Sequence, residues 1–279
     1  MGIAAGIVLA GGRSARMGRP KAALEWHGST LLFRTVAVLG RAVDGPVVVV
    51  RAAGQELPAL PAGVELVEDP VEGLGPMQGI AAGLAAVRDR AAAAFVCSTD
   101  LPFLHPAYVR AVLRGLDDPD LDLVVPVVRG FRQPLAAGYR PGLAGLIEAQ
   151  VAAGRLRVGM LRELCAAVQP DEAALLRDPV LAALDPALDS VRNVNTPQEY
   201  ELAAHRPGPA VVVECLGAPA RRGRRTVPAA SLGEAAAAIG LALDRHVVAA
   251  VDGEQIVRDP RVPLVSGDTV AFLCADAGG

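Results

Sequence analysis

The chain has 279 residues, more than one average domain, which suggests one large domain followed by a small one. Lys and Arg number 27 against 30 Asp and Glu, a net charge of −3 with no basic field, which argues against nucleic acid as a partner. The four cysteines, at 97, 165, 215 and 274, lie far apart with no C-x-x-C pair; this argues against a zinc knuckle or a disulfide framework, fits a reducing compartment, and leaves them as small buried apolar residues.

The first element is an apolar run from Ile3 to Ala10 that breaks into Gly11 and Gly12, passes Arg13, Ser14, Arg16 and Gly18, and reaches Lys21 behind Pro20. It reads as a buried strand feeding a phosphate loop. Glycines let backbone N–H groups converge on one concavity, and the cationic side chains neutralise phosphate charge. Lys21 is the sole lysine of the chain. A compact ammonium on a flexible stem is not interchangeable with the planar Arg fork, so its survival beside the glycines is either functional or an accident of an Arg-biased composition. The run lacks a basic n-region and contains its own glycine turn, unlike a signal peptide. Gly6 stands where a myristoylation signal needs Ser or Thr. No stretch approaches the ~18 apolar residues of a membrane helix. A cytoplasmic protein without membrane contact is expected.

The loop is neither a Walker loop nor a dinucleotide fingerprint, since Gly18 is followed by Arg19-Pro20-Lys21-Ala22 and no G-x-G-x-x-G occurs there. Leu9-Ala10-Gly11-Gly12-Arg13-Ser14-Ala15-Arg16-Met17-Gly18-Arg19-Pro20-Lys21 resembles the L-A-G-G-x-S-x-R-M-G-x-x-K signature of the nucleotidyltransferases that make molybdenum cofactor dinucleotides. The resemblance implies that Leu9, Ala10, Gly11, Gly12, Arg13 and Lys21 bind the nucleotide, and that Arg16 acts with Lys21 on the triphosphate.

Thr30 to Val43 has helical spacing, Val47 to Val50 is a β-branched run suited to a buried parallel strand, and Val64 to Val67 is a third strand. Asp69 to Gly79 is a turn-rich loop opening a helix from about Met77 to Val87. The loop resembles the family's D-x-x-x-x-x-G-P-x-x-G segment, in which Asp69, Gly75 and Gly79 would border the base and sugar. Arg51 departs from the Asn common in the family. Ala94 to Ser98 is a fourth strand ending in Thr99-Asp100-Leu101-Pro102. Strands alternating with helices predict an α/β fold with an open, mostly parallel Rossmann-like sheet, which binds ligands at strand carboxyl ends. Asp100 lies at such an end. Alone it is equally an Asp-x-Pro turn; the resemblance makes it a catalytic, nucleotide-binding and Mg²⁺-binding residue.

Leu123 to Val128 is read as one further strand. Arg132 to Arg140 resembles the family's substrate-side stretch, and Pro141 to Ala153 is a helix. A second helix is expected from about Arg155 to Cys165, whose Arg155, Arg157 and Arg162 form a solvated face or meet the pterin phosphate. Asn193-Val194-Asn195-Thr196-Pro197 resembles the family's N-x-N-T-P motif and implies Asn195 as a second metal ligand. Thr196 and Glu199, with Pro197 at the first helical position, form a capping box starting a helix that runs to about His205.

Pro207-Gly208-Pro209 reads as a short linker, dividing a nucleotidyltransferase domain at 1–206 from a small α+β domain at 210–279. The tail reads as strand 210–215, a strand to Pro228, a helix opening at a Ser231/Glu234 capping box with a helix-forming run to Leu243, and later strands at 247–251, 255–257 and 269–273. Val251-Asp252-Gly253-Glu254, the Gly267-to-Leu273 segment and the Gly278-Gly279 end, in a ββαββ order, resemble β-grasp (ubiquitin-like) sulfur carriers, specifically the small subunit of molybdopterin synthase. The alternative is a frayed end. The carrier resemblance implies adenylation and thiocarboxylation at Gly279, with an E1-like adenylating enzyme and the molybdopterin synthase large subunit as partners.

The two resemblances together imply Mg²⁺-dependent transfer of GMP from GTP to molybdopterin with a fused sulfur carrier. The alternatives are cytidylyl transfer to the same pterin, or a non-enzymatic nucleotide-binding scaffold for the carrier.

Overall fold

The structure is a computed structural model that describes residues 2–11, 20–69, 73–216, 223–253 and 255–274. It divides into two compact units, Met1–Leu24 with Leu31–Pro197, and Glu25–Thr30 with Gln198–Gly279.

The first unit is an α/β layer structure. Its elements are β1 (Ala4–Leu9), α1 (Leu31–Gly40), β2 (Val47–Ala52), β3 (Glu65–Asp69), α2 (Pro76–Val87), β4 (Ala93–Ser98), α3 (Pro106–Arg114), β5 (Leu123–Val124), β6 (Ala136–Tyr139), α4 (Ala144–Ala152) and β7 (Ala167–Val168). The seven-stranded sheet runs β7-β5-β6-β4-β1-β2-β3. Strands β4, β1, β2 and β3 are mutually parallel, and β6 is antiparallel to both its neighbours. Parallel strands covered on both faces need continuous apolar sequence. β1, β2 and β4 supply it, with Ile7, Val8, Val48, Val49, Phe95 and Val96 all inaccessible to solvent. On one face α2 and α4 close a core of Ile80, Leu84, Tyr139 and Ile147 against the strands.

Two sequence expectations need correction here. Residues 123–128 are not one strand. After β5 the chain passes Pro126, which has no N–H to donate to a ladder, and Val127–Val128 pairs instead with Phe131–Arg132 in a separate hairpin. Its turn residues Arg129 and Gly130 both have positive φ, as a tight two-residue turn requires. Residues 155–165 form only a 3-10 segment, Val158–Glu163. Arg155, Arg157 and Arg162 there are exposed, and Arg155 and Arg162 bond Gln150 and Glu163.

The second unit contains the hairpin Glu25–Trp26/Ser29–Thr30 as well as the tail. The hairpin turns on His27 and Gly28, both at positive φ. Helix α5 (Pro197–Ala204) meets this hairpin: the Tyr200 hydroxyl donates to Glu25 O at 2.5 Å, and its ring lies 6.2 Å from that of Trp26. The second unit thus takes in residues 198–206 as well as the tail. Pro209 O accepts the Ala229 N–H at 3.0 Å, and a Cβ on Gly208 would lie 2.7 Å from the Ala229–Ala230 backbone. This segment is therefore packed within the unit rather than free-running.

The tail comprises β8 (Ala210–Leu216), β9 (Arg225–Pro228), α6 (Leu232–Ala238), β10 (Val247–Val251), β11 (Gln255–Val257) and β12 (Thr269–Cys274). Three strands follow the helix, at the three ranges expected, so the order is ββαβββ rather than ββαββ. The sheet order is β9-β8-β12-β10-β11, with β8 and β12 parallel at its centre and the other pairs antiparallel. Alternate residues Val211, Val213 and Cys215 face α6 across a core with Leu232, Ala235 and Phe272. Ser231 caps α6 by accepting the Glu234 N–H, and Glu234 Oε2 accepts the Ala230 N–H, one residue before the expected partner. The helix ends at Ala238, short of Leu243. Gly240 at φ +67° turns the chain so that the Leu241 N–H meets Ala236 O, a glycine stop of the usual kind.

Candidate active site

The carboxyl ends of β1, β2, β3 and β4 open on one cavity of about 490 Å³. Eight of the expected site residues line it: Leu9, Ala10, Gly11, Lys21, Asp69, Gly75, Gly79 and Asp100. Gly12, Arg13 and Arg16 lie outside the described residues, as does Gly279.

Each wall has a local cause. Ala10 continues β1 by donating its N–H to Val50 O, and its carbonyl accepts from Gln55 Nε2 at 3.1 Å. The chain then runs so close to β2 that a Cβ on Gly11 would lie 3.4 Å from the Ala52 nitrogen. Opposite, α2 begins at Gly75 with φ +71° and ψ −167°, followed by Pro76 at the first helical position. That backbone region is essentially restricted to glycine, so the helix can start there only because residue 75 has no side chain. Gly79, one turn on, packs beside Leu9, where an added Cβ would lie in ordinary contact, 3.4 Å from Leu9 Cδ2.

The polar centre is Lys21. Its Nζ donates to Asp100 Oδ2 at 2.8 Å and to Asn195 Oδ1 at 2.8 Å. The second oxygen of Asp100, Oδ1, accepts the Ser98 hydroxyl in a short hydrogen bond. Asp100 is 8 % exposed, so its carboxylate is met by directed donors rather than bulk water. Asn195 arrives through a long-range backbone bond, Val194 N–H to Asp100 O at 3.0 Å. The segment before it is pinned by buried Asp185, whose carboxylate accepts the Asp189 and Ser190 N–H groups, while Ser190 Oγ accepts from His105 N. Asp100 and Asn195, distant in sequence from Lys21 and from each other, thus converge on its ammonium group.

Sequence reasoning missed Ser98 and Gln55. Ser98 stands two residues before Asp100 and reaches its carboxylate from the last position of β4, a spacing that was readable. Gln55 works through backbone partners that no local pattern announces. Arg51 also lines the cavity, with Nη1 on Gln55 O and Nη2 on Glu68. Among the described residues that line the cavity there is no cysteine or histidine. Cys97, the nearest thiol in sequence to Asp100, is wholly buried, and burial first and the Asp100 charge second push its thiol well above the ordinary range, so it stays protonated.

The donor set at Lys21 suits a hard cation. Asp100 and Asn195 offer one carboxylate and one amide oxygen, the kind and number of protein groups Mg²⁺ takes when phosphate oxygens complete its shell. Among the described residues no group of three or more His, Cys, Asp or Glu could form an all-protein metal cage. None of their helices is long and apolar enough to cross a membrane.

Comparisons with known proteins bear on the first unit. A probable molybdenum cofactor guanylyltransferase of Mycobacterium tuberculosis is 39 % identical over 160 residues, covering 56 % of this chain and 78 % of the relative. Its counterpart in Mycobacterium marinum is 38 % identical over 162 residues, covering 57 % and 79 %. Among solved structures, molybdopterin-guanine dinucleotide biosynthesis protein A of Archaeoglobus fulgidus is similar in fold, with TM-score 0.55 and 23 % identity over 72 % of this chain and 96 % of that one. The model of the MobA-like NTP transferase domain matches residues 6–168, more than half of the chain and the part that builds all four strand ends around the cavity. The chain belongs to the MobA-like NTP transferase domain family and is a nucleotidyltransferase.

Proposed function

We propose that the first unit transfers GMP from GTP to molybdopterin, forming the guanine dinucleotide of the molybdenum cofactor in the cytoplasm. The observation that carries this reading is the junction of Lys21, Asp100 and Asn195 at the end of a strand-end cavity; the named relatives supply the base and the acceptor. A phosphate oxygen of molybdopterin attacks the α-phosphorus of GTP, the bond from that phosphorus to the bridging oxygen breaks, and pyrophosphate leaves. Gly11, Gly12, Arg13, Arg16 and Lys21 hold the triphosphate, while Asp69, Gly75 and Gly79 border the base and sugar. Asp100 and Asn195 would hold Mg²⁺, which would supply positive charge against the reacting phosphates. The chain's share is positioning and electrostatics, and no covalent enzyme intermediate is required. The test is turnover of purified full-length protein with molybdopterin and each nucleotide in Mg²⁺ buffer. Pyrophosphate release with GTP at least about tenfold faster than with CTP is expected; a preference for CTP overturns the guanylyl reading in favour of cytidylyl transfer.

We further propose that residues 210–279 are a β-grasp sulfur carrier fused to a transferase at residues 1–206. Support comes from the five-stranded sheet, whose order numbered within the tail is 2-1-5-3-4 with parallel central strands wrapped on one helix, and from the Asp252–Gly253 turn, both residues at positive φ. The carrier acts through the carboxylate of Gly279, adenylated by an E1-like enzyme and converted to a thiocarboxylate for the synthase large subunit. Intact mass after incubation with that enzyme, ATP and a sulfur donor should gain one oxygen-to-sulfur exchange, absent when Gly278 and Gly279 are deleted. No change in either protein removes the carrier role.

A further inference from the structure

The Lys21 ammonium stands on the two oxygens to which the reading above gives the metal. Nζ is 2.8 Å from both Asp100 Oδ2 and Asn195 Oδ1. Mg²⁺ takes oxygen ligands at about 2.0–2.1 Å, so a cation shared by the same pair would lie in the cleft that Nζ fills. Two positive charges so close repel strongly in a site screened less than bulk water, and Lys21 and Asp100 side chains are only 21 % and 12 % exposed. Asp100 cannot readily serve both cations by turning, because Ser98 already donates to its other oxygen. The ammonium on this oxygen pair and a metal on the same pair are therefore mutually exclusive.

A triphosphate offers Nζ another seat. Lys21 lines the cavity, and its four-carbon stem lets a point charge move between a carboxylate and a phosphate without the fixed fork of arginine. We propose that the metal enters by ligand exchange: phosphate oxygens draw Lys21 from Asp100 Oδ2 and Asn195 Oδ1, and Mg²⁺ takes the two released oxygens. Divalent metal then binds tightly only together with nucleotide, and free cation does not fill the site in advance. The exchange also gives a reason for a lysine here in a chain that otherwise uses arginine alone. It rests on the assignment of the metal to Asp100 and Asn195.

The test reads metal binding rather than turnover. Mn²⁺ is titrated into full-length protein without nucleotide, and free Mn²⁺ is measured by electron paramagnetic resonance. Lys21→Met and Lys21→Gln are each expected to bind Mn²⁺ at least about tenfold more tightly than the parent, the scale expected on removing a like charge at ion-pair range in a part-buried site. Adding Asp100→Asn to Lys21→Met should abolish the gain. Equal or weaker binding in either folded neutral variant overturns the exchange, and so does a gain that survives Asp100→Asn. Failure of the underlying reading shows differently: the parent would release no pyrophosphate from any nucleotide, whatever its Mn²⁺ affinity.

Discussion

Lys21→Ala and Asp100→Ala are each expected to lower the rate of nucleotidyl transfer by about 10²–10³-fold, the range seen when one charge-stabilising group is removed from a preorganised site. Neither change reaches the core. Lys21 opens a short 3-10 segment and Asp100 follows β4, and the Asp100 backbone carbonyl still accepts the Val194 N–H, so the far-UV circular dichroism should match the parent. The two effects should not add. Lys21 and Asp100 are in direct contact, and residues that act as one unit give a double variant little worse than the poorer single one. Pyrophosphate release under saturating GTP and Mg²⁺ reads all three variants. A folded single variant at the parent rate removes that residue from the machinery, and fully additive losses would mean that the two act independently.

Much of this site was legible because its parts are local. A run of β-branched residues fixes β2 as buried, and Gly75, at φ +71°, marks a place where a side chain would strain the cavity wall. Lys21 drew notice as the sole lysine and as the end of the glycine-loop signature, and Asp100 by its place after a strand together with the family resemblance. The resemblance paired Asp100 with Asn195, but the contacts that bring them together were not legible. Asn195 meets Lys21 only because a backbone bond ties Val194 to Asp100 and because Asp185 and Ser190 hold the preceding segment; no periodicity encodes such a path. The same limit applies to the Glu25–Thr30 hairpin, whose grouping with the tail depends on Tyr200 and Glu234 far along the chain. Local signals also misled where one residue overrode a run: Pro126 splits an apolar stretch that otherwise reads as one strand, and Gly240 ends a helix whose composition favours continuing.

Gly83→Val should destabilise the first unit by about 3 kcal/mol and weaken nucleotide binding without touching the cavity itself. Gly83 lies in the middle of α2, where a glycine normally costs about 1 kcal/mol relative to alanine, so a larger residue might be thought stabilising. The packing reverses the sign. A Cβ there would lie 2.5 Å from Ile7 Cγ2 and 3.2 Å from Val50 Cγ2. Both neighbours are branched at Cβ, which leaves them few rotamers, and both are buried in the sheet that α2 covers. Overpacking of this kind costs typically about 1–3 kcal/mol, and the two extra methyl groups of valine place it at the upper end, beyond any gain in helix propensity. The strain is relieved by lifting α2 from β1 and β2, and that movement carries Pro76 and Gly79 away from Leu9 and the cavity wall. The expected result is a melting temperature lower by roughly 5–10 °C for a unit of this size, with KM for GTP raised and kcat largely retained at permissive temperature. An unchanged melting temperature would show that the helix can seat a side chain at this position, and that the close approach of α2 to β1 is not what sets the width of the nucleotide cavity.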